Sequence, residues 1–369
     1  MGKLNFLIPG CGCFSRKEKS RGAGVDTQDD DVVREIEYMK TCGSNAHAVV
    51  VQNLKKNYGS HETVRGISFH VDYSQIFGLL GVNGSGKTST FSVLTGQSDI
   101  TSGNVYINNQ TVASVRSGAS RVGYCPQFDT IAEELTGETI LYLFGRLSGI
   151  SEGHVSFFVN CILDGLDLKA YAKNSISTYS GGCKRRLSLA VSLIGGPDIL
   201  LLDEPTAGVD PQAKRLIWEV LRIVQKNNTA IILTSHSMEE IDLLCTNLAI
   251  MIAGKFRCYG SPQHIKNKYG SGYSVMFKVN SNTNVTQMIE NFLHTFKNSR
   301  VVIQEAHQIS LEIPKDCSVS WHRLFSTCEK YIEKYKLDDY FLGQTTLEQI
   351  FNDFSTNEVN TKDFRLRLN

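Results

Sequence analysis

Short apolar runs rich in β-branched residues alternate with segments of helical periodicity along the middle of the chain. The apolar runs predict strands at 47–54, 76–80, 122–126, 198–202 and 229–235. The periodic segments predict helices at 87–94, 137–147, 182–193, 213–226 and 238–244. Regular alternation of strands with helices is typical of a mostly parallel sheet with helices packed on it, so the sequence predicts an α/β domain.

The pattern changes after residue 270. Strands are predicted at 272–279, 301–306, 309–313 and 340–343, and helices at 284–296, 319–335 and 345–354. The order β-α-β-β-α-β predicts a small α+β unit of the ferredoxin-like, split βαβ kind. We therefore divide the chain into a mostly disordered leader with a short helix over 32–40, an α/β domain, a ferredoxin-like domain and a tail, at 1–45, 46–270, 271–355 and 356–369.

The run GVNGSGKT, from Gly81 to Thr88, fits the phosphate-loop pattern G-x-x-x-x-G-K-[ST] at every fixed position. Glycines let successive backbone N–H groups face one centre, and the positive end of the following helix favours phosphate oxygens. We expect Lys87 to reach the β- and γ-phosphates of ATP and the Thr88 hydroxyl to bind Mg²⁺. The predicted nucleotide-binding residues of this segment are Gly81, Asn83, Gly84, Ser85, Gly86, Lys87, Thr88 and Ser89.

Two carboxylates, Asp203 and Glu204, end the apolar run at 199–202. A buried strand that delivers acids to the edge of a sheet places them where α/β folds bind ligands. Asp203 is predicted to contact Mg²⁺, and Glu204 is the candidate general base for a water that attacks the γ-phosphate.

Composition narrows the class of protein. The chain of 369 residues is 41% hydrophobic and 20% charged with a net charge of +1. Such a balance favours a packed core and gives no electrostatic support for binding nucleic acid. The ten cysteines form no C-x-x-C pair, and we expect a reduced, cytosolic setting. No apolar stretch is long enough to cross a bilayer.

Further motifs carry a family resemblance. The segment TYSGGCKRR at 178–186 resembles the signature loop of ATP-binding cassette (ABC) ATPases, AGVD at 207–210 their D-loop, and TSH at 234–236 their switch histidine. Gln127 resembles their Q-loop glutamine, and Tyr58 their adenine-stacking aromatic residue. The motifs stand in the family's order across 47–268.

The chain resembles most the A subfamily of ABC transporters. Tyr179, the run LLDEPTAGVDP at 201–211 and QTTLEQIF at 344–351 carry this resemblance. It implies a small regulatory domain after the ATP-binding domain and extends the match to about residue 355. It also implies transmembrane partner domains that move lipid, a place on the cytoplasmic side of a membrane, and a C-terminal cassette of such a transporter.

The resemblance implies that two cassettes close on two ATP molecules. Ser180, Gly181 and Gly182 would face the γ-phosphate held by the second cassette, and Asp210 would link the two sites. The implied catalytic residues are Lys87, Glu204 and His236, with Mg²⁺ held by Thr88, Gln127 and Asp203, and with Tyr58 on the adenine.

One residue departs from the pattern, and several alternatives stay open. Cys183 stands where ABC signature loops have a polar residue, commonly Gln, so we expect weakened closure of the pair.

The chain could be a soluble ABC ATPase without a transport role, or a module that closes on ATP and turns over slowly. It could be part of a longer transporter or a subunit that docks on one. Cys11 and Cys13, beside basic residues, leave an acylated anchor open.

Overall fold

The computed structural model describes residues 29–43, 45–115, 121–128, 130–270, 272–279, 285–304, 308–314 and 320–355. The predictions of a disordered leader before residue 29, an acylated Cys11 or Cys13, and a tail at 356–369 lie outside the described residues.

The strands and helices follow in chain order. The strands are β1 Val49–Tyr58, β2 His61–Val71, β3 Ile76–Gly81, β4 Ser102–Ile107, β5 Gln110–Thr111, β6 Val122–Cys125, β7 Ile199–Asp203, β8 Ala230–Thr234, β9 Asn247–Ile252, β10 Lys255–Gly260, β11 Gly272–Lys278, β12 Arg300–Gln304, β13 Gln308–Pro314 and β14 Asp339–Gln344. The helices are α1 Asp30–Thr41, α2 Lys87–Leu94, α3 Val112–Val115, α4 Gly137–Leu147, α5 Glu152–Gly165, α6 Gly181–Leu193, α7 Pro211–Lys226, α8 Met238–Leu244, α9 Pro262–Tyr269, α10 Val285–Thr295, α11 Trp321–Tyr335 and α12 347–355.

The central sheet has the order β10-β9-β3-β8-β7-β6, and all neighbours are parallel except β10 with β9. Strands β3, β7 and β8 are buried along their whole length, as strands of parallel sheets covered on both faces are. In β7, Leu200 and Leu202 enter one hydrophobic cluster while Ile199 and Leu201 enter another, so the sheet divides two cores. The predicted α/β class is confirmed.

An antiparallel sheet of order β2-β1-β4-β5 was not predicted beyond the strand at 47–54. Its strands are irregular, with register shifts between β1 and both of its neighbours, and β2 begins with the exposed pair His61 and Glu62. Bulges and charged ends break the alternation that predicts strands. Helices α3, α5 and α9 and strands β9 and β10 were not predicted either.

Strands β11 to β14 and helices α10 and α11 follow one another in the predicted order β-α-β-β-α-β. Their sheet order is β12-β13-β11-β14 with every neighbouring pair antiparallel, which is the split βαβ arrangement. Helices α10 and α11 bury Phe292, Leu324 and Cys328 in one cluster with the strands. The closing helix α12 packs elsewhere: Leu347 and Ile350 lie in the core of the α/β domain, although the sequence division placed 345–354 in the second unit.

Helix α1 packs on the α/β domain. The sequence predicted a short helix over 32–40 in a mostly disordered leader, whereas the structure has a longer helix with Val32, Glu35 and Met39 buried. The Gln52 side chain donates to the Met39 carbonyl at 2.8 Å, and the Lys268 ammonium pairs with Asp31 at 2.6 Å. The helix is amphipathic, and burial of its apolar face stabilises it. The charged composition of the leader as a whole did not indicate this packing.

Among the described residues, no helix combines the length and apolar character that crossing a membrane requires.

Candidate active site

The phosphate loop connects the end of β3 to the start of α2. Gly84 and Gly86 adopt left-handed backbone conformations, with φ of 78° and 109°. A Cβ on Gly86 would lie 2.7 Å from the Thr63 carbonyl oxygen, so a side chain there meets both strain and backbone. Glycine is therefore required for the turn that starts α2 and points its N–H groups into the site.

Lys87 is buried with 8% of its surface exposed. Its ammonium donates to the carbonyl oxygens of Gly81 at 2.7 Å and Val82 at 3.2 Å, which holds the charge beside the loop. Burial lowers the pKa of Lys87, partly offset by the charges of Glu204 and Asp203. The Ser85 hydroxyl is buried without a hydrogen-bond partner among the described residues. A triphosphate would supply the negative charge and the acceptors that this loop lacks.

Asp203 ends β7 and is 2% exposed. The Thr234 hydroxyl donates to its Oδ1 at 2.6 Å, while Oδ2 has no partner among the described residues. Burial raises the pKa of Asp203. A buried carboxylate oxygen without a donor is costly unless a cation meets it, so this atom fits a magnesium ligand.

Glu204 and His236 form a close pair. His236 Nε2 lies 2.7 Å from Glu204 Oε1, with the side chains 49% and 14% exposed. Glu204 has a φ of 53°, a conformation that costs free energy for a residue with a side chain. Its backbone N–H donates to the carbonyl and the hydroxyl of Thr234, both at 3.1 Å, and these bonds hold the strained turn. The backbone conformation of Glu204 thus sets the direction of its carboxylate, and His236 holds the carboxylate in place.

A cavity of about 130 Å³ joins the phosphate loop to the acidic pair. Predicted residues that line it are Asn83, Gly84, Gly86, Lys87, Thr88, Ser89, Gln127, Asp203 and Glu204. Thr63 also lines it and was not predicted, because β2 itself was missed. Predicted residues outside this lining are Tyr58, Gly81, Ser85, Ser180, Gly181, Gly182, Asp210 and His236.

Tyr58 ends β1 and is half-exposed. The Lys56 ammonium lies 4.8 Å from the centre of its ring, within the range of a cation–π contact. The ring is open to a stacking partner, and its predicted contact with adenine stays a prediction.

The signature segment starts α6. The Ser180 hydroxyl caps this helix by accepting from the Cys183 N–H at 3.2 Å. Cys183 itself is buried, and Arg186 Nη2 donates to its sulfur at 3.3 Å, so this thiol faces into the protein. A Cβ added to Gly181 would meet no atom within 4 Å, and one on Gly182 would meet only backbone atoms at 3.9 Å, so there is space beside the helix start for an incoming group.

Asp210 plays a local role in this chain. It is the N-cap of α7, where its carboxylate accepts from the Ala213 N–H at 3.0 Å. Capping of this kind stabilises the helix start and also fixes the loop before it.

Arg185 lies within the signature segment and has a structural role that the sequence did not indicate. The side chain is 3% exposed, and its guanidinium donates to three carbonyls: Pro126 at 2.5 Å, Glu204 at 2.9 Å, and Asp203. It therefore ties α6 to the acidic turn and to the segment before Gln127. Two adjacent arginines in a helix with an apolar face were the available signal; both are buried, and the sequence does not show which carbonyls each one meets.

Known proteins resemble the chain in sequence and in structure. The family model for ABC transporters matches residues 64–207. "Phospholipid-transporting ATPase ABCA3" of Rattus norvegicus is 42% identical over 316 residues, 83% of this chain and 18% of that protein. "ATP-binding cassette sub-family A member 17" of Mus musculus is 38% identical over 351 residues, 92% of this chain and 20% of that protein. The chain thus spans about a fifth of the length of these relatives.

The fold has solved counterparts as well. A solved "ATP binding subunit of ABC transporter" superimposes with a TM-score of 0.57 at 23% identity, covering 60% of this chain and 93% of that one. Fold, sequence match and phosphate site together define an ATP-binding cassette with an ABC-type ATPase domain, and the chain belongs to the ABC transporter family. Its relatives assign it to the A subfamily, and the predicted family and fold class are confirmed.

Proposed function

We propose that this chain binds and hydrolyses Mg-ATP in the cavity between the phosphate loop and the acidic pair. The observation that carries the proposal is that Lys87, at the start of α2, lines one small cavity together with Asp203 and Glu204, at the end of β7. Loop N–H groups and the Lys87 ammonium bind phosphate oxygens, which compensates the burial of this cation.

Thr88, Gln127 and Asp203 are the residues that would hold Mg²⁺, since all three line the cavity. Mg²⁺ would neutralise charge on the β- and γ-phosphates. The unpartnered Oδ2 of Asp203 is the strongest sign that a cation belongs here. The Thr234 hydroxyl holds the other oxygen and thereby orients the carboxylate toward the cavity.

Glu204 acts as the general base, and His236 positions it. The carboxylate accepts the proton of the attacking water, while the imidazole 2.7 Å away fixes its orientation and meets the γ-phosphate. Arg185 keeps this turn in place through the Asp203 and Glu204 carbonyls. Removing the base while keeping its shape should therefore block turnover and leave binding intact.

The complete site needs a second cassette. Ser180, Gly181 and Gly182 do not line the cavity that holds Lys87, yet the start of α6 is an open positive helix end. In the proposed closed state this helix end meets the γ-phosphate bound to the partner cassette, and Asp210 fixes the loop at the contact. Hydrolysis removes that bridge and the pair opens.

The decisive variant is Glu204→Gln, with the exposed Glu219→Gln as its matched control. We expect ATP turnover to fall at least about 100-fold in Glu204→Gln and to stay unchanged in Glu219→Gln. Analytical ultracentrifugation should show an ATP-dependent dimer for Glu204→Gln. Turnover at the wild-type rate would contradict the role of Glu204, and a monomer with bound ATP would contradict the paired site.

Lipid transport is the proposed purpose of this cycle. The support is the curated relative named a phospholipid-transporting ATPase, of which the chain matches one part. The chain would act through transmembrane domains that it contacts at a membrane. Complexes isolated from membranes through this chain should hydrolyse ATP faster when phospholipid is added, and the Glu204→Gln complex should not respond. An ATPase rate indifferent to phospholipid would contradict this purpose.

A further inference from the structure

A second cluster of ligand-type side chains lies at the other end of β3 from the phosphate loop. His47 precedes β1, His70 lies near the end of β2, and Asp72 stands between β2 and β3. Strand β3 is six residues long, so about 20 Å of strand separates this cluster from the phosphate loop. The ATP site therefore gives no account of these residues.

The geometry of the cluster is compact. One ligand atom from each of His47, His70 and Asp72 lies within 4.8 Å of the others. The two imidazole rings are 4.1 Å apart between centroids. The histidine side chains are only 10% and 16% exposed, while Asp72 is half-exposed, so the cluster is partly buried and Asp72 is its most accessible member.

Each histidine is held by a partner on α1. Glu35 Oε1 lies 2.7 Å from His70 Nδ1, and the Tyr38 hydroxyl lies 2.9 Å from His47 Nε2. Among the described residues, these contacts leave His70 Nε2 free for a ligand and leave His47 Nδ1 facing the Asp72 carboxylate. A carboxylate or hydroxyl that orients the far nitrogen of a histidine is the usual support of a metal-bound imidazole.

We propose that His70 Nε2, His47 Nδ1 and the Asp72 carboxylate bind a divalent transition metal of the zinc type, with water in the fourth position. Two histidines and a carboxylate suit zinc, whereas Mg²⁺ and Ca²⁺ require oxygen ligands. Tetrahedral zinc with bonds near 2.1 Å sets its ligands about 3.4 Å apart. Small side-chain rotations bring atoms that lie within 4.8 Å to that spacing.

The site links α1 to the sheet. Glu35 is 7% exposed and accepts both from His70 Nδ1 and from the His70 backbone N–H at 3.1 Å. A metal on the far side of the His70 ring fixes that ring and strengthens the contact with α1. Metal binding should therefore protect α1 from proteolysis without any nucleotide.

The test is a Co²⁺ and Zn²⁺ titration of the full chain, first stripped with a chelator and kept free of nucleotide. We expect one equivalent of Co²⁺ with visible ligand-field absorption, displaced by Zn²⁺. His47→Ala and His70→Ala should weaken binding about 10-fold to 100-fold or more. The matched control is His264→Ala: His264 also bonds to α1, with Nε2 2.8 Å from Asp31, but lies outside the cluster.

Two further variants keep the result decisive. Asp72→Asn removes a ligand at a half-exposed position and should weaken binding even if a histidine variant unfolds. Asp203→Asn, which disables the proposed magnesium ligand of the ATP site, should bind Co²⁺ like the wild type. Folded wild-type protein without stoichiometric binding, or equal binding by the Asp72→Asn and His264→Ala variants, would overturn the proposal and leave a hydrogen-bonded cluster only.

Discussion

The phosphate-facing edge of the cassette and the C-terminal unit differ in whether their buried polar atoms have hydrogen-bond or ion-pair partners. Among the described residues, side chains with a buried, unpartnered polar atom are Asp29, Asn57, Ser85, Arg186, Asp203, Tyr259 and Tyr269. All precede β11, and Ser85 and Asp203 belong to the ATP site. In the C-terminal unit, Arg300 instead pairs with Glu312 at 2.7 Å, and Asn291 donates to the Tyr335 hydroxyl at 2.7 Å.

This contrast distinguishes a region built to bind a ligand from a region that serves the stability of the fold. Buried polar atoms are normally paired in folded proteins, so an unpaired one needs an explanation. At the ATP site the explanation is a ligand that supplies the missing partner, and the strained backbone of Glu204 lies in the same place. Among its described residues, the C-terminal unit has no buried side-chain polar atom without a partner, which fits a domain selected for packing.

The largest expected effect is on the C-terminal core. Phe292 is fully buried, with ring centroids 4.9 Å from Phe296 and 5.7 Å from Tyr331. Phe292→Ala should lower the free energy of unfolding of this unit by about 3–5 kcal/mol. If the two regions are separate in function, calorimetry should show this loss while ATP affinity stays within about twofold of wild type, a margin worth about 0.4 kcal/mol.

The control for this variant is Phe325→Ala, since Phe325 lies in the same unit with 44% of its surface exposed. Its unfolding free energy should change by less than about 1 kcal/mol. A loss of ATP affinity in Phe292→Ala, absent from Phe325→Ala, would show that the C-terminal core supports the ATP site and would break the comparison.

The second-largest expected effect is a loss of stability at Glu240, which can be compared with Asp203 within the cassette. Glu240 is fully buried like Asp203, but its two oxygens accept from Trp218 Nε1 at 3.0 Å and Thr206 Oγ1 at 3.1 Å. Because an amide nitrogen cannot accept these bonds, Glu240→Gln should cost about 1–3 kcal/mol of stability. Thermal unfolding beside the exposed control Glu239→Gln measures it, and equal melting temperatures for the two variants would refute the structural role.

The smallest expected effect is a gain in stability, whereas the preceding variants lose stability. Asp203→Asn removes a buried charge whose Oδ2 has no partner, while the Thr234 bond can persist, so we expect a gain of about 1 kcal/mol. The melting temperature, measured by thermal unfolding without nucleotide, should rise by about 2–4 °C. A destabilised Asn variant would show that Asp203 is a structural carboxylate like Glu240.

The pH dependence of this gain follows from the raised pKa of Asp203. Burial raises this pKa above its usual 3.8, so the folded state binds the proton more tightly than the unfolded state. The wild type loses stability as the pH rises through the raised pKa, whereas Asn does not titrate. The advantage of Asp203→Asn should therefore be absent below the usual pKa of 3.8, grow as the pH rises from there, and be complete above the raised pKa.

Sequence patterns predicted the elements whose periodicity is regular. Strands β3, β7 and β8 are continuous apolar runs, and the phosphate loop has fixed spacing, so both were recognised. The antiparallel sheet was missed because its register shifts and charged ends hide the alternation. The buried role of Arg185 and the meeting of His47 with His70 arise from contacts distant in the chain, which spacing alone does not encode.

Binding of Mg-ATP to the nucleotide-free wild-type chain, compared with Lys87→Ala, is the most direct test of the central claim. The ammonium of Lys87 is already in place beside the loop, held by the Gly81 carbonyl at 2.7 Å. Isothermal titration should show one ATP per chain for the wild type and at least about 100-fold weaker binding for Lys87→Ala, a loss of roughly 2.7 kcal/mol. Equal affinity in the two folded proteins would contradict the claim that this loop binds the triphosphate.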